Sequence, residues 1–248
     1  MIDFHSHILP GIDDGSRNVK MSLGMIDALS RQGVDTVCAT SHFYVTQRTP
    51  EHFLERRQEA YELLEPVLPD NAPRILLGAE VLYFPGISRL DSLPKLCLDG
   101  TDLLLLEMPF TEWQEYWVRE VCDLALSGEF TILLAHIERY YARQPKKVWD
   151  QLLELDVLMQ SNADYFLQQD SIFRFRNGSK ALKLLKEGRI HLLGTDTHNL
   201  TSRPPRMAEA REVIRQALGN RALERIDQLG SELIHSSLPR RWRGMLWF

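Results

Sequence analysis

The chain has 248 residues, with 29 Lys and Arg against 34 Asp and Glu (formal net charge −5) and 44% hydrophobic residues. That length forms one large α/β barrel or two small domains around a sizeable core, and the composition excludes disordered, collagen-like and coiled-coil chains. The acidic balance argues against a nucleic-acid binder with a basic surface. With no export signal and no run of about 18 apolar residues, a cytoplasmic protein without an integral membrane segment is expected.

Short β-type runs alternate with amphipathic helical stretches, the pattern of parallel strands joined by crossover helices. The first strand is expected at Ile2-Asp3-Phe4-His5, followed by a loop through Pro10-Gly11 and Asp14-Gly15. Val19, Leu23, Ile26 and Leu29 then recur at helical spacing with Gly33 as the stop, and residues 34–40 read as the second strand. Thr49-Pro50 is an N-cap followed by proline at the first helical position, opening a helix through Phe53 and Leu64. Residues 74–80, 103–107, 131–136, 157–162 and 190–196 supply five more strands, with helices around 116–126, 148–155, 179–187 and 207–218. Seven strands in this rhythm suggest a (β/α) barrel with one unit missing or distorted, formed as a single domain over residues 1–248.

Three cysteines, Cys38, Cys97 and Cys122, are far apart and odd in number, which predicts free thiols in a reducing compartment. None opens a C-x5-R phosphate loop, because Tyr44, Leu103 and Gly128 occupy the arginine positions. Core packing is their expected role.

The placement of His, Asp and Glu is more informative. His5 and His7 end the first strand, His42 follows the second, Glu80 ends the third and Glu107 the fourth. His136 ends the fifth, Asp196 and His198 follow the last, and Asp14 lies in the loop after the first strand. In a parallel barrel the carboxyl ends converge on one face, so residues far apart in sequence meet there. An H-x-H pair aims both imidazoles the same way from an extended segment. Acids at the ends of strands as apolar as LLLLE (103–107) need cationic partners, and these strands supply almost none. One catalytic zinc takes about three protein ligands. Nine candidates, four of them carboxylates, instead suit two or three divalent ions, the usual apparatus of phosphate-ester hydrolysis.

DFHSHILPGIDDGS (3–16), ATSHF (39–43), GAEV (78–81), LLLEMPF (104–110), LLAHIERY (133–140) and GTDTHN (194–199) together resemble the PHP (polymerase and histidinol phosphatase) superfamily. HSHILPGIDDG and HxERY are similar to the bacterial manganese-dependent tyrosine-protein phosphatases of capsular and extracellular polysaccharide synthesis. The resemblance runs from Met1 to about Met207 and implies a distorted seven-stranded barrel. It further implies that His5, His7 and Asp196 hold one ion, that Glu80 bridges to a second held by Glu107 and His136, and that Asp14, His42 and His198 hold a third. Manganese is the first expectation, with iron or zinc as alternatives. Arg139 and Arg203 match the positions that grip substrate phosphate. The implied partner is a phosphotyrosine protein, a tyrosine autokinase of polysaccharide export. Ser41, Phe43, Ile137, Thr195 and Thr197 depart from the family pattern without removing a proposed ligand, and Phe43 reshapes the rim.

The expected chemistry is in-line attack on phosphotyrosine by a metal-bound hydroxide, with the two planar guanidinium groups gripping phosphate through paired hydrogen bonds. Phenolate, with a pKa of about 10, leaves without a dedicated acid. Rival readings are a small-molecule phosphatase such as one acting on histidinol phosphate, an amidohydrolase, and a non-catalytic metal-binding barrel. An amidohydrolase usually wants a strand-end lysine where Glu80 and Glu107 stand. His52, His191 and His235 read as surface or packing residues, Trp113 and Trp117 as packing at a helix start, and the basic, aromatic tail 239–248 as a packed segment rather than a membrane contact.

Overall fold

The computed structural model describes residues 1–167 and 175–235; the tail 239–248 lies outside them. Its strands are β1 (Ile2–Ser6), β2 (Thr36–Ala39), β3 (His42–Phe43), β4 (Arg74–Leu77), β5 (Glu80–Leu82), β6 (Leu103–Glu107), β7 (Thr131–Leu134), β8 (Leu158–Asn162) and β9 (Leu192–Gly194). All pairings are parallel, in the orders β1-β2-β4 and β3-β5-β6-β7-β8-β9. The seven expected strands are all present. Two are each broken in the middle, the second at Thr40-Ser41 and the third at Gly78-Ala79. The breaks carry the chain from one sheet to the other, and Glu80 N–H donates to the carbonyls of Thr40 and Ser41 at 3.2 and 3.0 Å. Between β1 and β9 the ring is closed by Asp196 N–H to His5 O (2.7 Å) and His7 N–H to Thr197 O (3.0 Å).

Local signals explain the helices. The Asn18 side chain caps α1 (Val19–Arg31), and Thr49 caps α2 (Pro50–Leu64) by accepting from His52 N–H. Gly128, at φ 74°, supplies the left-handed residue that ends α3 (Glu115–Ser127). Trp113 lies just before α3, packing on Tyr140 and Trp149, so its packing role holds although it is not helical. The remaining helices are α4 (Lys146–Glu154), α5 (Ala163–Leu167), α6 (Phe175–Lys186), α7 (Met207–Leu218) and α8 (Asn220–His235).

Inside the barrel, Phe4, Cys38, Leu76, Leu105, Leu133 and Leu192 pack together, joined by Leu233 and Ile234 of α8. Burying each such aliphatic side chain contributes about 1.5–3 kcal/mol. Helix α8 lies against β1 because residue 230 is glycine; a Cβ there would come within 2.9 Å of the Phe4 ring. All three cysteines are free and buried, and burial pushes the Cys97 thiol up to about 12. Among the described residues no helix is long and apolar enough to cross a membrane.

Candidate metal centre

The nine residues singled out, eight at or just past strand ends and Asp14 in the loop after β1, meet at one end of the barrel. Three histidines there present Nε2 toward the centre while Nδ1 faces an oxygen that can only accept. His7 Nδ1 lies 2.8 Å from Asp13 Oδ2, His198 Nδ1 2.9 Å from the Asp196 carbonyl, and His5 Nδ1 3.3 Å from Gln160 Oε1. Nδ1 therefore carries the proton in each neutral ring, and Nε2 offers a lone pair. His5 Nε2 and His7 Nε2 stand 3.1 Å apart, and His198 Nε2 is buried without a hydrogen-bond partner. Lone pairs aimed at one another fit a shared cation.

Carboxylates complete four overlapping groups able to chelate a metal: His5, His7 and Asp196; His5, Glu80 and His136; His42, Glu80 and Glu107; and His7, Asp14, His42 and His198. Glu80 is the common member of the middle pair. Its Oε1 lies 2.7 Å from His136 Nε2, and its Oε2 lies 2.8 Å from His42 Nδ1 and 3.2 Å from His5 Nε2. Glu107 reaches His136 at 3.2 Å. Asp14, 68% exposed, stands at the rim 3.4 Å from both His42 and His198.

Electrostatics follow from this crowding. Burial alone would raise the Glu80 and Asp196 carboxyls, yet the surrounding histidines hold both well below the ordinary range. Burial likewise works against a charge on His7 and His136, but Asp13 drives His7 well upward and Glu107 and Glu80 bring His136 to about 9. His198 is pushed down to about 4 by burial and by His7. The centre thus favours carboxylate anions and positive charge among them. A divalent ion would displace histidine protons on binding.

His136 and Asp196 both adopt left-handed backbone, at φ 29° and 51°. Such conformations cost roughly 1–3 kcal/mol each for a non-glycine residue and persist where the surrounding structure over-determines them. Asp196 divides its two oxygens. Oδ1 faces His7 at 3.3 Å and His5 at 3.7 Å, while Oδ2 accepts from Arg139 (2.5 Å), Arg203 (2.6 Å) and Asn162 Nδ2 (2.8 Å). Both arginines are partly exposed, at 35% and 37%. Arg203 is placed by its loop, where Asn199 Oδ1 accepts from the backbone N–H groups of Thr201, Ser202 and Arg203.

Several supporting residues escaped the sequence reading, which weighed Asp14 but not its neighbour. Asp13 is the better-buried acid of the pair, accepting from His7, Gly15 N–H and His42 N–H. Gly15 allows this, since a Cβ there would lie 2.3 Å from the His7 carbonyl oxygen. Gln160 and Asn162 on β8 follow the same strand-end logic as the acids, but as neutral amides they were not considered as ligands. Asp3, pushed up to about 6 by burial against its hydrogen bonds, holds Thr195 through N–H and Oγ1 at 2.7 and 2.6 Å. Phe110, 43% exposed, lies at the rim with its ring 5.7 Å from that of His136 and 5.6 Å from the Arg139 guanidinium carbon.

Residues 1–233 match the capsular polysaccharide synthesis family CpsB/CapC. The chain belongs to this family. It is 31% identical to the tyrosine-protein phosphatase CpsB of Streptococcus agalactiae serotype V, over 98% of this chain and 100% of that protein. It is 29% identical to the tyrosine-protein phosphatase YwqE of Bacillus subtilis, over 89% of this chain and 86% of that one. A chain from the crystal structures of YwqE from Bacillus subtilis and CpsB from Streptococcus pneumoniae, described as unique metal-dependent tyrosine phosphatases, superposes with a TM-score of 0.81 at 27% identity, covering 94% of both chains. A chain of archaeal ribonuclease P shares the fold alone, at TM-score 0.59 and 13% identity. As a CpsB/CapC family member the chain carries the distorted barrel with chelating clusters at its strand ends.

Proposed function

We propose that this chain is a metal-dependent phosphotyrosine-protein phosphatase. One observation carries the reading: Asp196 joins the histidine cluster through one oxygen and two partly exposed arginines through the other, so cation binding and anion binding share a single carboxylate. His5, His7, Asp14, His42, Glu80, Glu107, His136, Asp196 and His198 would hold two or three divalent ions, with manganese in first place and iron or zinc also suited to the donors. When bound, such ions neutralise phosphoryl oxygens and make water a nucleophile at neutral pH.

The chain's own residues do the rest. Arg139 and Arg203 converge on one point and offer planar N–H pairs to phosphate oxygens, a grip that lysine cannot reproduce. Phe110 presents a ring face beside His136 and Arg139, which supports an aryl ester over the alkyl ester of histidinol phosphate. Phenolate, with a pKa of about 10, leaves without a side-chain acid. Buried Cys38, Cys97 and Cys122 supply no accessible thiolate.

The physiological substrate in this reading is a bacterial tyrosine autokinase of polysaccharide export, encountered in the cytoplasm. Membership of a capsular polysaccharide synthesis family supports that assignment. Phosphate release from phosphotyrosine peptide, phosphoserine peptide and histidinol phosphate tests it. Turnover confined to phosphotyrosine is expected, and turnover of histidinol phosphate alone moves the function to small-molecule metabolism.

A further inference from the structure

A groove of about 850 Å³ opens beside Arg139, between the segment after β7, α4 and α6. Five of its lining side chains are cationic: Arg139, Lys146, Lys180, Lys183 and Arg189. Among the described lining residues two are carboxylic, and Asp150 beside the groove pairs with Lys146 at 2.5 Å and Arg189 at 2.7 Å, which leaves the cations in excess on a chain whose net charge is −5. Of the two lining acids, Glu138 accepts from Asn162 N–H at 3.2 Å, and Glu187 pairs loosely with Lys183 at 3.8 Å. Tyr141 and Tyr165 give the groove an aromatic lining, with the Tyr141 ring stacked at 4.6 Å on the buried Trp149.

The groove adjoins the candidate site through Arg139, which lines it and also bonds Asp196. A polypeptide whose phosphotyrosine is held at Arg139 has one flank beside this opening. Complementarity of charge then selects its composition, since like charges set against an interface are rejected and opposite charges accelerate encounter. Resting on the phosphatase reading, we propose that the groove seats the residues flanking the phosphotyrosine and prefers Asp- and Glu-rich flanks. The partner is an acidic protein segment.

The test uses the full-length, manganese-loaded protein with p-nitrophenyl phosphate and three phosphotyrosine peptides whose flanks are acidic, neutral or basic. The acidic peptide should show a kcat/KM about 10-fold above the neutral one, mainly through KM, and the advantage should shrink at high salt as the charges are screened. Lys146 and Lys183 are 78% and 73% exposed, so the double variant Lys146→Glu/Lys183→Glu should fold normally and abolish the preference. p-Nitrophenyl phosphate, having no flanks, reports the metal site alone.

Equal kcat/KM for all three peptides, with p-nitrophenyl phosphate still hydrolysed, overturns the groove assignment and leaves the phosphatase reading intact. Should no substrate turn over, that reading fails, and fluorescence anisotropy of the labelled peptides decides the groove by itself: tighter binding of the acidic peptide supports it and equal binding overturns it. Binding to phosphatidylglycerol vesicles by the wild type but not the double variant, together with equal peptide rates, assigns the groove to a lipid surface instead and also overturns it.

Discussion

Replacing Gln160 with methionine tests whether the neutral amides of β8 set the geometry of the centre. The side chain is fully buried and makes three hydrogen bonds. Oε1 accepts from His136 N–H at 2.7 Å and from His5 Nδ1 at 3.3 Å, and Nε2 donates to Asn162 Oδ1 at 3.0 Å. Methionine keeps the length and volume but offers no comparable acceptor, so two fully buried N–H donors lose their partner. Each such loss costs about 1–3 kcal/mol, and together they should destabilise the fold by roughly 3 kcal/mol, a melting shift of about 6–12 °C for a chain of this size. The variant also frees the His5 ring to turn and to change tautomer. Loss of such a supporting contact typically weakens metal affinity about 10–100-fold. Scanning calorimetry of the chelator-stripped protein reads the first effect, and calorimetric titration with manganese reads the second. Destabilisation with unchanged manganese affinity would refute the claim that Gln160 orients His5 as a ligand.

Arg139→Lys should lower kcat/KM on a phosphotyrosine peptide by about 10–100-fold, because one ammonium cannot make the paired contact of a guanidinium; an unchanged value removes Arg139 from phosphate binding. Phe110→Ala should cost about 2- to 10-fold on phosphotyrosine, matching one aromatic pair, and nothing on a phosphoserine peptide. Equal losses on both substrates contradict a ring contact. His191 accepts from Met159 N–H at 3.0 Å, and burial pushes it down to about 4. Between pH 6.5 and 4 the unfolded chain binds a proton that the folded one does not, so stability falls as pH falls, by about 1.4 kcal/mol per unit. His191→Gln keeps an acceptor and should lose about 2.5 kcal/mol less than wild type between pH 7 and 4.5 in urea unfolding. Equal losses would show that His191 does not set the acid limit.

The barrel was legible because each strand is a short apolar run closed by a polar residue. That same punctuation marked eight of the nine candidate ligands, Asp14 being read from the loop after the first strand, since strand ends on one face are brought together whatever their separation in sequence. Less legible were features set by tertiary contact. The break at Gly78 follows from a change of sheet partner, which no local pattern encodes. Helix α8 carries apolar residues at Ala222, Ile226 and Leu233, but Gly230 interrupts the stripe, and only its contact with Phe4 explains the interruption. His235, read as tail, is the last residue of that helix. Asp13 and Asp14 are adjacent and chemically identical in sequence. The His7 contact and burial of one, and exposure of the other, distinguish them only in three dimensions. His52 and His191 serve as expected, one on the surface of α2 and the other packed beside β8.

The most direct test of the central claim is phosphate release from a phosphotyrosine peptide by chelator-stripped protein titrated with manganese, with bound ions per chain counted in parallel. The stripped protein should show no turnover, activity should rise as two to three equivalents bind, and His136→Ala should lose that rise. Full turnover by the stripped protein, or none at any loading despite bound ions, would contradict that claim.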